Sequence, residues 1–447
     1  MNDLTIYALA SGHGRAGIAV IRISGPAAKD IAITLCGRAL PVRHAIRVDL
    51  INPVNNELLD QGLAIYFPGP ASFTGEDVVE LHVHGGIAVI DGVLSVLAAI
   101  EGLRLAEPGE FTRRGFENGK IDLTAAEGVA DLVAAETAAQ RRQALRQMGG
   151  ALASFCDESR TRLIAALAYW ETAIDFSDED LPVDLEISVV GIISELVRDF
   201  EKALADQGRG ERLRDGVNVA IVGPPNAGKS SLLNRLAKRD AAIVSSTAGT
   251  TRDVIEIHFE LGGYPIILAD TAGFRTSGDD IEKEGVRRAI DRAAQADLRI
   301  IVLDGESWPE IDAETRTWIS EPGLLTINKI DTMTAKSPTF FGQQPLFGIS
   351  ANHGTGVDKL LQVLETQVAS SFDGLSAPVV TRARHREALE SALSALHRFL
   401  AATDRLVQPE LAAEDLRLAA RSIGRVTGSV DVEDLLDVIF ADFCIGK

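Results

Sequence analysis

Short apolar runs closed by turn residues mark the first 118 positions. Ile18-Ala-Val-Ile-Arg-Ile23 ends at Ser24-Gly25-Pro26, Ala64-Ile-Tyr-Phe67 at Pro68-Gly69-Pro70, and Val78-Val-Glu-Leu-His-Val83 at Gly85-Gly86. Runs of β-branched and aromatic residues bounded by Gly and Pro predict strands, and the stretches between them predict helices. Residues 1–118 therefore read as a small α/β domain.

The period then changes. Thr124-Ala-Ala-Glu127 has the spacing of a capping box at a helix start. Leu145, Met148, Leu152 and Phe155, then Leu163, Leu167, Trp170 and Ile174, then Val189, Ile193, Leu196, Phe200 and Leu204 recur at three and four. That spacing predicts long amphipathic helices. The charged, Gly-containing stretch from Gln207 to Gly216 reads as a linker. Residues 215–375 alternate apolar runs with helical patterns, as a parallel α/β domain does. Helical texture returns over 376–447. The expected architecture is multidomain, α/β and all-α: the helices of 119–214 and 376–447 form one discontinuous bundle, and the α/β domain is inserted between them with its two ends close together.

Composition narrows the class. A chain of 447 residues, 46% apolar and 24% charged, is globular and too long for one core. Three cysteines, Cys36, Cys156 and Cys444, are too few and too scattered for a disulfide framework or a zinc site. Neither a secretory pattern nor a membrane-spanning apolar run is evident, so a soluble, cytoplasmic protein without membrane contact is expected. The net charge of -20 does not favour sequence-independent nucleic-acid binding. An RNA partner must meet a local basic patch or be held mainly by a second protein.

The chemistry concentrates in the insert. The apolar run Val217–Val222 leads into Gly223-Pro-Pro-Asn-Ala-Gly-Lys-Ser230, and Ser231-Leu-Leu-Asn-Arg-Leu236 continues as a helix. Strand, Gly-rich loop and helix are the context of a phosphate-binding P-loop. Its backbone N–H groups and Lys229 would hold the β- and γ-phosphates, and Ser230 would ligate Mg²⁺. Asp270-Thr271-Ala272-Gly273 follows a second apolar run, where an Asp holds Mg²⁺ through water and Gly273 offers an N–H to the γ-phosphate. Asn328-Lys329-Ile330-Asp331 follows a third. Asp331 can accept from guanine N1–H and its exocyclic amine, which adenine lacks. Ser350-Ala351-Asn352 resembles the loop that contacts guanine O6. The segment Gly249-Thr250-Thr251-Arg252-Asp253 occupies the place of a switch loop, with Thr251 as second Mg²⁺ ligand.

A water-orienting Gln is missing: Phe274 stands after Gly273. Asn226 offers an oxygen to a monovalent cation beside the phosphates, and carbonyls of Ser245-Ser246-Thr247-Ala248-Gly249-Thr250 can complete the cage. K⁺ there would act as an arginine finger does. Glu282 either orients water or is an exposed acid in a charged switch.

Over nearly its whole length the chain resembles the MnmE (TrmE) family of tRNA uridine-5-carboxymethylaminomethyl modification GTPases. The resemblance rests on Gly17–Gly25, Ser72–Asp77, Glu107–Thr112, Asn118–Leu123, Pro225–Ser230, Ala248–Asp253, Asp270–Gly273 and the final Phe443-Cys-Ile-Gly-Lys447. It departs at Ser11–Gly17, where the family often has Pro-Pro-Gly-Arg-Gly. The resemblance implies an N-terminal tetrahydrofolate-binding-like and dimerisation domain, a discontinuous helical domain and a Ras-like G domain. By residue matching it implies K⁺ at Asn226, Ser245, Thr247 and Thr250, Mg²⁺ at Ser230 and Thr251, and catalysis by Glu282 and Asn226. GTP contacts would fall on Asn226 to Ser231, Ser245 to Thr251, Asp270 to Gly273, Asn328, Lys329, Asp331 and Ser350 to Asn352. Contacts to 5-formyl-tetrahydrofolate would fall on Arg22, Glu80, Lys120 and Lys447. It further implies a homodimer and a complex with the flavoprotein MnmG (GidA), acting at C5 of the wobble uridine (position 34) of certain tRNAs. The alternative is a ribosome-assembly-type regulatory GTPase.

Cys444 is functional by resemblance; the other reading is a buried structural thiol. Lys447 at the end argues against prenylation. His82 and His84 alternate on a strand and read as polar packing rather than a metal pair.

Overall fold

The computed structural model describes residues 4–175, 184–206, 208–238, 242–245, 256–270, 293–320, 323–372, 379–402, 408–430, 433–441 and 443–446. The chain's contacts divide into two compact units. One comprises Met1–Ala130, Gln147–Ile192 and Arg398–Lys447; the other comprises Asp131–Arg146 and Ile193–His397.

In chain order the first elements are β1 (Thr5–Leu9), β2 (Ala16–Ser24), α1 (Ala28–Cys36), β3 (Ile46–Ile51), β4 (Leu58–Phe67), β5 (Val78–Gly85), α2 (Ile87–Ala98), β6 (Leu103–Leu105) and α3 (Glu110–Glu117). Next come helices α4 (Leu123–Ala134), α5 (Ala138–Met148), α6 (Ala151–Asp175), α7 (Asp184–Leu204) and α8 (Arg209–Asp215). The insert contributes β7 (Val217–Val222), α9 (Lys229–Ala237), β8 (Ala242–Ser245), β9 (Glu256–Leu261), β10 (Tyr264–Asp270), β11 (Leu298–Asp304), α10 (Ala313–Ile319), β12 (Leu324–Asn328), β13 (Phe340–Phe341), β14 (Gln344–Gly348) and α11 (Val357–Phe372). Helices α12 (Ala383–Ala401), α13 (Pro409–Thr427) and α14 (Glu433–Ala441) close the chain.

The first unit holds a six-stranded sheet in the order β3-β4-β5-β2-β1-β6. Its ladders are antiparallel except β1 with β6. One face is buried by Ile31 and Leu35 of α1 and by Val93 and Leu97 of α2. In the same unit α6 packs along α13. There the fully buried Trp170 ring meets Phe399 edge-on at 5.2 Å, and its indole N–H donates to the Pro409 carbonyl at 2.9 Å. Helices from both sides of the insert thus pack together. Residues 443–446 run beside β1: the Pro108–Ile445 bridge holds them, and Gly446 packs so close that a Cβ would fall 2.1 Å from the Leu9 carbonyl oxygen.

The second unit holds an eight-stranded sheet in the order β13-β14-β12-β11-β7-β10-β9-β8. β14, β12, β11, β7 and β10 are parallel; β9, β8 and β13 pair antiparallel. Val219 and Ile221 face one apolar layer, Ala220 and Val222 the other, so β7 is buried on both faces, as the continuous apolar run requires.

Three expectations need correction. Thr124 is not the cap of α4: it lies inside the helix, and Asp122 caps it, its Oδ1 accepting from the N–H of Thr124 at 2.7 Å and of Ala125 at 3.0 Å. A carboxylate two positions earlier reaches those N–H groups first. The 207–216 stretch is not a linker but contains α8. Asp206 caps that helix by accepting from Gly208 and Gly210 N–H, and Arg386 grips Asp206 and Glu211, each at 2.7 Å. Leu145 and Met148 do not continue the buried stripe of α6; they are exposed on a separate helix. Gly150, at φ +85°, breaks the helical path, and α5 buries Ala139, Gln143, Ala144 and Gln147 instead.

Candidate functional site: a P-loop tied to a base-reading loop

The parallel strands β7, β11 and β12 end side by side, and the loops that follow form the site. Gly223 leaves β7 at φ +144°, where an added Cβ would lie 2.2 Å from the Val302 carbonyl oxygen of β11. Only glycine fits that approach. Asn226 adopts φ +64°, leaving its side chain exposed on the loop. Gly228, at φ +91°, precedes α9, which has no side-chain N-cap. Uncapped first-turn N–H groups and the positive end of the helix dipole suit a phosphate. Lys229 is buried, and its Nζ donates to the carbonyls of Gly223 at 2.8 Å and Pro224 at 2.9 Å. The ammonium therefore lies within the loop itself. Ser230 and Ser231 follow, exposed, on the first turn of α9; a hydroxyl at Ser230 is the hard oxygen donor that Mg²⁺ accepts.

Asn328 joins this loop to the base-reading loops. It is buried; its Nδ2 donates to the Ala227 carbonyl at 2.7 Å and its Oδ1 accepts from the Ala351 N–H at 2.9 Å. A Cβ on Gly228 would fall 2.2 Å from that same Nδ2. Lys329, at φ +62°, places its Nζ on Asp304 at 2.8 Å and Glu306 at 2.9 Å. The Ser350 hydroxyl beside Asp331 holds its carboxyl below the usual range, and His353 Nε2 lies 3.6 Å away. Asp331 is thus kept ionised as an acceptor. Arg235 of α9 donates to the carbonyls of Ala351, at 2.9 Å, and Asn352.

The structure therefore brings Ala227, Gly228, Lys229, Asn328, Ser350 and Ala351 together. Sequence reasoning missed Arg235, Asp304, Glu306 and His353. Asp304 carried a signal, an acid closing an apolar strand as Asp270 does; the other three carried none. The side chains of Ser245 and Asp270 lie outside the described residues, as do Ser246, Thr247, Ala248, Gly249, Thr250, Thr251, Thr271, Ala272, Gly273, Phe274, Glu282 and Lys447.

In the first unit Arg22 and Glu80 are register partners on β2 and β5. Arg22 donates from Nε at 3.1 Å and Nη2 at 2.9 Å to Glu80 Oε1. The Phe73 and Phe111 rings lie 5.8 and 5.6 Å from its guanidinium, within cation–π range. His82 Nε2 lies 3.5 Å from the other Glu80 oxygen, and exposed His84 pairs with Asp60 at 2.8 Å. Lys120 is exposed beyond α3, with no hydrogen bond to the Arg22–Glu80 pair among the described residues. Cys444 is exposed, which removes the buried structural reading.

A P-loop, an Asn-bridged base loop and an ionised Asp331 on a parallel sheet define a guanine-nucleotide-binding domain of the P-loop class. The comparisons name the family. Residues 123–444 match the MnmE helical domain and residues 5–120 the GTP-binding protein TrmE N-terminus. The tRNA modification GTPase MnmE of Paramagnetospirillum magneticum is 56% identical over 444 residues, covering 99% of both chains. The MnmE of Parvibaculum lavamentivorans is 54% identical over 446 residues, covering 99% of this chain and 100% of that one. That of Rhodospirillum rubrum is 50% identical over 455 residues, covering 99% of both. The chain belongs to the MnmE family of tRNA modification GTPases and is a GTPase.

Proposed function

We propose that this protein hydrolyses GTP to drive modification of tRNA, acting with the flavoprotein MnmG (GidA) to install a carboxymethylaminomethyl or aminomethyl group at C5 of the wobble uridine. The observation that carries the reading is the Asn328 bridge, which ties the phosphate loop to a guanine-selective carboxylate within a chain alike in sequence to MnmE end to end. Lys229 and the N–H groups of α9 hold the triphosphate, Ser230 and Thr251 hold Mg²⁺, and Asp331 selects guanine. Asn226 with Ser245, Thr247 and Thr250 holds K⁺, which supplies positive charge to the transferring phosphoryl group, and Glu282 orients water. Arg22, Glu80, Lys120 and Lys447 hold a 5-formyl-tetrahydrofolate-type one-carbon donor; cations suit its carboxylates, and Glu80 accepts from pterin N–H groups. The proposed division is 1–118 for folate binding and dimerisation, 119–214 with 376–447 as helical domain, and 215–375 as G domain, in a cytoplasmic homodimer.

Mass spectrometry of tRNA nucleosides from a strain lacking the gene tests the reading: the C5-modified wobble uridine should vanish, and an unchanged nucleoside profile overturns it. Turnover of GTP in KCl should exceed that in NaCl, and Asn226→Ala should erase the difference; equal rates in the two salts reject the K⁺ role.

A further inference from the structure

Between Glu136 and Asp157 the sequence holds three arginines, Arg141, Arg142 and Arg146, and no carboxylate side chain, in a chain of 64 acids and 44 bases. All three lie on the exposed side of α5. The helix is fixed from its other side by glutamines. Gln140 Nε2 donates to the Arg214 carbonyl at 2.9 Å and its Oε1 accepts from the N–H groups of Glu136 and Thr137, while Gln143 is buried. Some exposed arginines on other helices meet acids: Arg398 meets Asp415, and Arg417 meets Glu171 and Glu414, whereas Arg316 meets the Ile311 carbonyl. The Arg141 and Arg142 guanidiniums meet none among the described residues.

We propose that the outer face of α5 is where this acidic chain grips the phosphate backbone of its RNA. The inference rests on the tRNA reading above and gives that substrate a place of contact. Guanidinium forks bind phosphate oxygens bidentately, and two adjacent forks paired with no carboxylate among the described residues offer a polyanion its contact; the nearest acids, Asp131, Glu136 and Asp215, line a pocket with Gln140, Gln143 and Ala144 on the buried side of α5. Arg141 to Arg146 spans about 8 Å along the helix axis, room for neighbouring phosphates. A protein partner fits less well: Leu145 and Met148 are the face's exposed large apolar side chains, too few for the apolar centre of an interface that buries about 800 Å² per partner. Anionic membrane fits less well too, since such recognition takes about 4–8 clustered basic residues.

The test is fluorescence anisotropy of labelled, unmodified tRNA against the full-length protein and its Arg141→Gln/Arg142→Gln variant, across a KCl titration. The variant should bind about tenfold more weakly, and its slope of log affinity against log salt should shrink by about 1.5. GTP turnover without tRNA should be unchanged. Equal affinity and slope in the two proteins overturn the α5 assignment while leaving the tRNA reading intact. Absence of tRNA binding by the wild type overturns both. Should the glutamine pair fail to fold, Arg141→Lys/Arg142→Lys decides: it keeps the slope and loses part of the affinity, because charge remains and the fork is gone. Wild-type affinity in that variant rejects the bidentate grip.

Discussion

The side-chain amide of Asn328 donates to the main-chain carbonyl of Ala227 across 2.7 Å, so the loop that reads the base is bonded directly to the loop that holds the phosphates. Its oxygen takes the Ala351 N–H as well, and one buried side chain sets three loops in register. Asn328→Ala leaves two main-chain groups unpaired, at about 1–3 kcal/mol each. Affinity for a fluorescent GTP analogue should fall roughly 5- to 150-fold per group lost. Gly228→Ala should do the same from the opposite side, because its Cβ would fall 2.2 Å from Asn328 Nδ2 and push the amide away. Unchanged affinity in either variant would deny the bridge its role.

Asp331 should decide the base. With asparagine there, one amide donor replaces one acceptor; that pairs with the C2 carbonyl of xanthine and opposes the C2 amine of guanine. Asp331→Asn should lose GTP binding by about two orders of magnitude and gain XTP by a similar factor. The pH dependence has a definite sign. The Ser350 hydroxyl lowers the Asp331 pKa, so the accepting carboxylate persists as pH falls, and Ser350→Ala should move the acid limb of GTP binding upward. A limb that stays in place would show that another group titrates there.

How far the sequence was readable follows from where each element's information lies. β7, β10 and β12 are buried runs, and burial writes itself into composition, so the P-loop and base-loop positions could be read directly. The helix caps could not: Asp122 and Asp206 act through main-chain N–H groups two to four positions ahead, and several nearby side chains compete for that role. Nor could the residues that support the site. Arg235 lies on the legible helix α9 and Glu306 and His353 in loops, but their partners lie 117, 23 and 22 positions away in sequence, a separation set by the sheet order and not by any periodicity. The break of α5 from α6 was legible in Gly149-Gly150, but the apolar spacing across it hid the break.

The buried carboxylate network of the first unit should set its acid stability. Burial pushes the Glu110 carboxyl up, but two hydrogen bonds from Arg104, at 2.7 and 2.5 Å, the Glu107 N–H and Arg114 outweigh it and leave the pKa lowered. A lowered folded-state value means stability that is present above the unfolded carboxylate range, near 4.3, and lost as pH falls through the folded value. Glu110→Gln leaves Arg114 its bonds to Glu76 and the Leu4 carbonyl but removes the carboxylate that it shares with Arg104, and should cost about 1–3 kcal/mol at neutral pH. Calorimetry of the full chain should show the wild-type advantage shrinking as pH falls below about 4. An advantage independent of pH would assign Glu110 to packing alone.

The three thiols should separate by reactivity, and the separation tests what Cys444 is for. Burial pushes the Cys36 thiol up to about 11, so at neutral pH it is protonated as well as shielded. Cys156 is buried on α6, while Cys444 is exposed in the segment that runs beside β1. The thiolate is the reactive species and access limits its chemistry. A neutral maleimide at neutral pH should therefore label Cys444 alone in the folded protein, read by peptide mass spectrometry. Because Cys444 supports no core, Cys444→Ser should melt and turn over GTP as the wild type does. If the thiol serves the tRNA chemistry, that variant and the labelled wild type should both lose wobble-uridine modification while GTP turnover persists. Modification that survives both treatments would reduce Cys444 to a bystander at the chain's end, and early labelling of Cys36 would contradict the burial on which the argument depends.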